Sequence, residues 1–189
     1  MDAFSYISIV PSIIIALGLA RLLTGIGKIL ERRDKVQNYW VHILWAFNLF
    51  LYMVLNWWVL YRWNLQSTWS FPLLLFLLLI PIVTFLQSVV LFPDPFDDKM
   101  DFKKHFYEDH RWYFTLAALL PPLDFLDTIL KGIPHLLAQG PIYLITIDLI
   151  TALSIVALKT KNQTYHKFFS VFFLVYISIF IMINLNTLA

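Results

Sequence analysis

The sequence predicts an all-α integral membrane protein, a bundle of six transmembrane helices, and three observations lead to that prediction. The 189 residues are 60% hydrophobic and only 14% charged, whereas a soluble domain carries about 25% charged residues. Six apolar stretches are each long enough to cross, or nearly cross, a hydrocarbon core of about 30 Å. The Lys and Arg residues between these stretches alternate from one side to the other, as the positive-inside rule requires.

The predicted spans cover residues 4–30, 39–61, 71–92, 112–130, 141–158 and 168–185. Apart from the stretch 93–111, the connections are too short to form a separate folded unit. We therefore expect a single transmembrane domain over residues 1–189, with the lipid bilayer as its main partner.

The basic residues predict the orientation of the bundle. Eleven of the 14 Lys and Arg residues lie in or beside the connections after spans one, three and five: Lys28, Arg32, Arg33, Lys35, Lys99, Lys103, Lys104, Arg111, Lys159, Lys161 and Lys167. Only Arg62 and Lys131 lie on the other side. We expect the basic side in the cytoplasm and both termini outside it. A small chain built almost wholly of spans fits a plasma membrane, of the bacterial inner-membrane kind.

The predicted cytoplasmic connection 93–111 holds half of the 12 acidic residues. Phe102 and Phe106 lie four residues apart in it with charges between them, a pattern that favours a short helix at the membrane interface. We interpret the connection as an amphipathic link between spans, with a cytoplasmic gate or a docking site for a partner as the alternative.

Arg21 lies inside the first span, where a guanidinium costs about 2.5–3.5 kcal/mol on insertion scales and usually faces a partner, a cavity or water. In a helix, Gly18 and Gly25 share the face of Arg21, one turn to either side. Glycines at these positions predict close packing of another backbone or a ligand against that face.

Asp148 is the partner that the sequence predicts for Arg21. Arg21 lies eleven residues before Arg32, and Asp148 lies eleven residues before Lys159. Both spans run in the same direction, so the two charges are expected at a similar depth, about 16 Å from the basic side. The pair is either a fixed ion pair that holds the bundle together or the lining of a hydrated path.

Further polar side chains lie in neighbouring spans, namely Asn48, Tyr52, Gln87 and Thr151. Such side chains often form hydrogen bonds between helices, which would explain their presence without any ligand. Their number also fits a polar cavity around Arg21 and Asp148, in which they would be neutral ligands of a solute or ion.

Asp124 and Asp127 form a second candidate group, shortly after Pro121 and Pro122 in span four. Two carboxylates three residues apart face the same way on a helix and suit a relay for a cation or a proton on the outer side. The alternative is an ordinary ion pair between Asp127 and Lys131, which are four residues apart.

Several classes of function lack support in the sequence. The absence of cysteine excludes thiol catalysis, and no phosphate loop, nucleophile elbow or zinc protease motif occurs. The five histidines lie near the ends of spans or in connections, where we expect interfacial residues with no metal and no cofactor. No basic cluster indicates nucleic acid. We therefore do not expect an enzyme.

The sequence favours a small transporter or channel that passes a small solute or ion through a polar site around Arg21 and Asp148, in a protein that also suits a homo-oligomer. The alternative is a membrane sensor, an accessory subunit or a pore-forming effector, in which the Arg21/Asp148 pair has only a structural role.

Overall fold

The computed structural model describes residues 2–94 and 100–184, most of which are helical. Six helical segments are long and apolar enough to cross a membrane, so the chain is a multi-pass membrane protein. This confirms the predicted fold class. Residues 95–99 of the predicted connection, which include Lys99, and residue 185 at the end of the last predicted span lie outside the described residues.

Three of the six segments consist of two helical pieces each. The first is α1 (Ala3–Ile7) with α2 (Ile9–Glu31), the second is α3 (Trp40–Leu60) with the 3₁₀ segment η1 (Tyr61–Leu65), and the third is α4 (Phe71–Leu77) with α5 (Leu79–Leu91). The other three are the single helices α6 (Phe102–Leu130), α7 (Ile133–Lys159) and α8 (Gln163–Asn184).

The start of α6 differs from the prediction. The carboxylate of Asp101 caps this helix by accepting hydrogen bonds from the backbone amides of Lys103 and Lys104, at 2.9 and 3.0 Å. Phe102 and Phe106 are buried in the bundle. The predicted interfacial helix is therefore wrong, because its two phenylalanines pack into the protein and the segment forms the first turns of α6.

Helix α7 also begins earlier than predicted and bends at Gly140, which has φ +73° and ψ 174°. Residues other than glycine rarely adopt this conformation. Pro141 follows the bend, and this Gly-Pro pair coincides with the predicted beginning of span five. The residues 133–139 form an additional helical piece before the bend.

The connections between helices lie at two opposite ends of the bundle. The basic end contains the connections α2–α3, α5–α6 and α7–α8, and the terminal end contains η1, the connection α6–α7 and the start of α1. Around the bundle, α2 packs against α3 and α5, α5 against α6, α6 against α7, and α3 against α8. Helices α7 and α8 share few contacts, which leaves space between them.

The core is richest in aromatic residues toward the basic end. Trp45 lies at its centre, with ring centroids 5.1 Å from Phe114, 5.1 Å from Phe169 and 5.6 Å from Tyr113. The outer surface carries many exposed apolar side chains, among them Leu17, Ile145 and Val175, as a surface in contact with lipid requires.

Candidate functional site

Arg21 finds its partner at the end of α5 and not on α7. Its Nε and Nη2 atoms donate hydrogen bonds to the backbone carbonyl of Phe92, at 3.1 and 2.7 Å. Phe92 directly follows the last residue of α5, where carbonyl groups lack partners within the helix and the helix dipole is negative. The half-buried guanidinium therefore caps a helix.

His105 caps the same helix end. Its Nε2 atom lies 3.0 Å from the carbonyl oxygen of Val90, and its Nδ1 atom lies 3.1 Å from a carboxylate oxygen of Asp109. Both neighbours are hydrogen-bond acceptors. Arg21 from α2 and His105 from α6 thus bind the last carbonyls of α5 together.

Asp148 lies on the exposed face of α7, together with Ile145, Ala152 and Ile155. It has no hydrogen bond or ion pair to any residue that the structure describes. The predicted Arg21/Asp148 pair is therefore wrong: the two residues have similar predicted depths, but α2 and α7 are not neighbours in the bundle. Thr151 bonds to the Ile147 carbonyl of its own helix, at 2.7 Å.

The two glycines beside Arg21 are buried at close contacts, as predicted. A Cβ atom on Gly18 would collide with the side chain of Met53, and one on Gly25 would collide with the ring of Phe92. The close neighbours are side chains of this chain and not a ligand. Gly25 thus leaves room for the residue whose carbonyl binds Arg21.

Asn48 holds two helices together. Its Nδ2 atom donates a hydrogen bond of 2.9 Å to the carbonyl of Ser170, which joins α3 to α8. This contact corresponds to the structural alternative for the polar residues of span two, in which they bond between helices. No hydrogen bond between described residues connects Asn48 with Arg21.

A cavity of about 130 Å³ lies inside the bundle, and we call it the chamber. Four helices supply most of its lining, and α5 contributes Gln87. The lining residues are Trp45, Leu49, Tyr52, Leu55, Gln87, Tyr113, Ala117, Leu120, Pro121, Asp124, Tyr143, Thr146, Ile147, Ile150, Ser154, Phe169, Phe173, Tyr176, Ile177 and Phe180. A mainly apolar cavity with a few polar groups is typical of sites for small molecules.

Asp124 is the only acidic or basic residue that the described part of the chain contributes to the lining of the chamber. One of its carboxylate oxygens accepts a hydrogen bond of 2.9 Å from the Tyr143 hydroxyl, which also lies 2.8 Å from the Thr128 hydroxyl. These contacts join the second half of α6 to α7 just after the bend at Gly140. They hold the carboxylate in place.

A second cavity, of about 70 Å³, adjoins the chamber on the side of the terminal end, and we call it the vestibule. It shares Tyr52, Leu55, Asp124, Tyr143 and Phe180 with the chamber. Its other lining residues are Asn56, Val59, Arg62, Asp127, Thr128, Lys131, His135 and Gln139. The carboxylate of Asp124 therefore stands where the two cavities meet.

Asp127 is part of a separate ion pair at the edge of the vestibule. Its carboxylate contacts the Lys131 ammonium at 2.5 Å and accepts a hydrogen bond of 3.0 Å from the Trp63 indole. The Lys131 ammonium also lies 5.3 Å from the centre of the Trp63 ring. The sequence alternative of an Asp127–Lys131 pair is confirmed, so Asp124 and Asp127 stand in different surroundings.

Two of the residues that line the chamber, Gln87 and Trp45, carry buried polar atoms. Gln87 and Trp45 are 2% and 3% exposed, and the Oε1 atom of Gln87 and the Nε1 atom of Trp45 have no hydrogen-bond partner among the described residues. Buried polar groups in folded proteins are nearly always bonded to protein or to water. Both atoms are enclosed by neighbouring groups, so they do not by themselves indicate an occupant of the chamber.

The histidines differ from the interfacial residues that the sequence predicts. His42, His110 and His166 are buried among aromatic rings at the basic end. Within residues 2–94 and 100–184, no group of three or more His, Asp or Glu side chains is placed to hold a metal ion.

The chamber contains two predicted site residues, Tyr52 and Gln87, together with Asp124 from the predicted relay. Tyr143 and Tyr176 also line it, although they are not among the predicted site residues. The sequence of α7 could have indicated Tyr143. With Ile147, Ile150 and Ser154 it follows 4-3-4 spacing, so these four residues share one helix face that has a polar group at each end.

Comparisons with protein-family models, with curated proteins and with solved structures find no match to this chain.

Proposed function

We propose that the protein passes a small solute or ion across a plasma membrane through the chamber and the vestibule. The observation that supports this proposal is the position of Asp124, a carboxylate at the junction of two adjoining cavities inside a membrane-spanning bundle. Ionisable residues within membrane spans are costly and usually belong to paths for substrates, ions or protons. Homo-oligomer formation stays a prediction of the sequence.

Each part of the site has a place in such a path. The vestibule carries Arg62, Lys131 and His135 toward the terminal end, where solutes would enter or leave. Asp124 holds the solute between the two cavities. The aromatic side chains around Trp45 line the chamber toward the basic end. This arrangement fits one state of a carrier that opens to its two sides in turn.

The proposed site differs from the one expected around Arg21 and Asp148. Arg21 caps α5 through the Phe92 carbonyl, which gives it a structural role, and Asp148 lies on the exposed face of α7. Asp124, expected as part of an outer relay, becomes the central residue of the proposed path.

The non-transport alternative has one observation in its favour. Trp45 and Phe169 line the chamber and pack against each other and against Phe114. A sensor, an accessory subunit or a pore-forming effector would keep this arrangement and use the chamber for binding alone.

Swelling of proteoliposomes, followed by light scattering, tests transport with three chemically different solutes. The external solutes are glycerol, tetramethylammonium chloride and sodium gluconate, which are uncharged, cationic and anionic probes, and an ionophore for chloride or for sodium lets the counter-ion of each charged probe follow it. We expect the purified full chain to speed swelling with at least one of these probes relative to protein-free liposomes. No acceleration by folded protein with any probe would reject the proposal in favour of the non-transport alternative.

Two matched variants connect any flux to the chamber. Ala117 lines the chamber, so Ala117→Phe fills part of it, whereas Ala152→Phe adds the same ring on the exposed face of α7. We expect Ala117→Phe to abolish the accelerated swelling and Ala152→Phe to keep it. Equal flux through both variants would show that solutes do not pass through the chamber.

A further inference from the structure

We propose that the solute bound in the chamber is a small organic amine, with its ammonium group on the carboxylate of Asp124 and its hydrocarbon part among the aromatic rings of the lining. This inference rests on the proposed function, because it names the class of solute for the same site. The charge of Asp124 and the aromatic lining support it separately.

The charge around Asp124 favours a cation. Its carboxylate accepts a hydrogen bond from the Tyr143 hydroxyl, and no Lys, Arg or His side chain among the described residues forms an ion pair with it. Lys131 lies on the same helix but is bound to Asp127 at 2.5 Å. A carboxylate in a membrane interior without a cationic partner attracts a positively charged ligand. The adjoining vestibule is lined by Arg62, Lys131 and His135. The preference for a cation is therefore expected at the Asp124 carboxylate itself and not along the vestibule.

The lining favours a cation that also carries hydrocarbon. Eight of the lining residues are aromatic: Trp45, Tyr52, Tyr113, Tyr143, Phe169, Phe173, Tyr176 and Phe180. The faces of aromatic rings attract ammonium groups and also pack against apolar groups. A bare metal cation would gain little from this lining, since such ions need several oxygen or nitrogen ligands. An amine with an apolar body uses both the carboxylate and the rings.

The size of the chamber limits the ligand. An apolar protein cavity of about 150 Å³ holds a molecule such as benzene, and the chamber has about 130 Å³. Asp124 and Tyr113 both line it and are eleven residues apart on α6, which corresponds to about 16 Å along the helix. A narrow molecule with one ring and a short amino chain fits these dimensions.

Three probes of nearly equal shape test the charge of the ligand: 2-phenylethylamine in its ammonium form, the uncharged 2-phenylethanol, and the anionic 3-phenylpropionate. Binding is measured by calorimetry with the purified full chain in lipid nanodiscs, and empty nanodiscs correct for partition into lipid. We expect the ammonium probe to bind about ten-fold or more tightly than the other two, as a charge-assisted hydrogen bond implies. Equal binding of the alcohol or the acid overturns the inference.

Asp124→Asn removes the charge and keeps the shape of the side chain, and Asp148→Asn makes the same change on the exposed face of α7. We expect Asp124→Asn to lose the preference for the ammonium probe and Asp148→Asn to keep it. An unchanged preference in folded Asp124→Asn overturns the inference. If Asp124→Asn does not fold, the comparison of the three probes on the unsubstituted protein still decides.

The results separate this inference from the proposed function. Selective binding of the ammonium probe without flux of any solute supports the amine site and rejects transport. Flux of glycerol that the chamber-filling variant Ala117→Phe abolishes, without selective binding of the ammonium probe, supports transport and rejects the amine site.

Discussion

Arg21 is stabilised by a backbone carbonyl, a partner that has no signature in the side-chain sequence. Its two hydrogen bonds to Phe92 lie at the negative end of α5, where His105 binds a neighbouring carbonyl. Asp148 is a carboxylate of matching depth, but it lies on a helix that is not adjacent. The sequence predicts that a guanidinium inside a span needs a partner, but it does not predict that this partner is the Phe92 carbonyl.

Replacement of Arg21 by Gln tests its capping role. The variant keeps a donor but loses the charge and one of the two hydrogen bonds to Phe92. We expect the free energy of unfolding to fall by about 1.5–3 kcal/mol, measured by reversible SDS unfolding in mixed micelles. The double variant that exchanges the charges, Arg21→Asp with Asp148→Arg, should not recover the free energy of unfolding of the unsubstituted protein. Restored stability in the double variant would mean that the two residues pair after all.

Gly25 offers a second residue-level test with a control on the same helix. A Cβ atom at Gly25 would collide with the Phe92 ring, whereas one at Gly27 meets nothing within 4 Å. We expect Gly25→Ala to lower the free energy of unfolding by about 1–3 kcal/mol and Gly27→Ala not to lower it, because alanine favours a helix. The same SDS titration measures both, and an equal effect of the two changes would contradict the close contact.

At the scale of the helices, the apolar stretches predict six spans, and the predicted beginnings of the fourth, fifth and sixth are wrong for physical reasons. Helix α8 begins at Gln163 and not at residue 168. It begins earlier because the Asn162 side chain accepts hydrogen bonds from the backbone amides of Thr164 and Tyr165.

Residues 102–111 are polar enough to suggest a connection, but the Asp101 cap and the buried side chains of Phe102 and Phe106 make them helical. Gly140 and Pro141 suggest the beginning of a helix, but they mark a bend within α7. Hydropathy indicates how much chain lies in the membrane, whereas caps and bends depend on individual residues.

The bend in α7 depends on Gly140 for its backbone conformation and not for space. Its φ of +73° is unfavourable for other residues, and a Cβ atom there would meet nothing within 4 Å. We expect Gly140→Ala to lower the free energy of unfolding by about 1–3 kcal/mol. Because Tyr143 lies one turn further and holds Asp124, affinity for the ammonium probe should fall as well.

Gly27→Ala is again the control, since Gly27 is helical and has no close neighbour among the described residues. Unchanged stability and affinity in Gly140→Ala would show that α7 reaches the same place without the bend.

At the scale of the whole molecule, the chamber is not predictable from the sequence because the order of helices around the bundle is not encoded in hydropathy. Asp124, Tyr52 and Gln87 are predicted site residues, but the sequence assigns them to different places. The packing of α6 against α7, and of α3 against α8, brings them to one cavity. Tyr143 and Tyr176 complete it and are recognisable only from the faces of α7 and α8.

The predicted orientation in the membrane can be tested by labelling single introduced cysteines, because the sequence contains no cysteine of its own. Ser67 lies in an exposed loop at the terminal end, and Asn162 lies in an exposed loop at the basic end. We expect Ser67→Cys to react in intact cells with a maleimide that cannot cross membranes, and Asn162→Cys to react only after permeabilisation. The reverse result would place the basic end outside.

The aromatic cluster at the basic end has a mechanical consequence. On one side of it, Arg21 and His105 join α2 and α6 to α5, and on the other, Tyr165 of α8 bonds to the Leu153 carbonyl of α7 at 2.6 Å. At the basic end, one hydrogen bond of the described residues crosses between these two groups, from Asn48 to Ser170, and other close contacts are between rings.

The basic end thus consists of two hydrogen-bonded groups of helices that contact each other mainly through aromatic rings. Toward the terminal end, Tyr143 also joins α7 to Asp124 and Thr128 of α6. Separating the two groups at the basic end would break one hydrogen bond and no ion pair of the described residues, while the bonds of Tyr143 to α6 would still join the groups toward the terminal end.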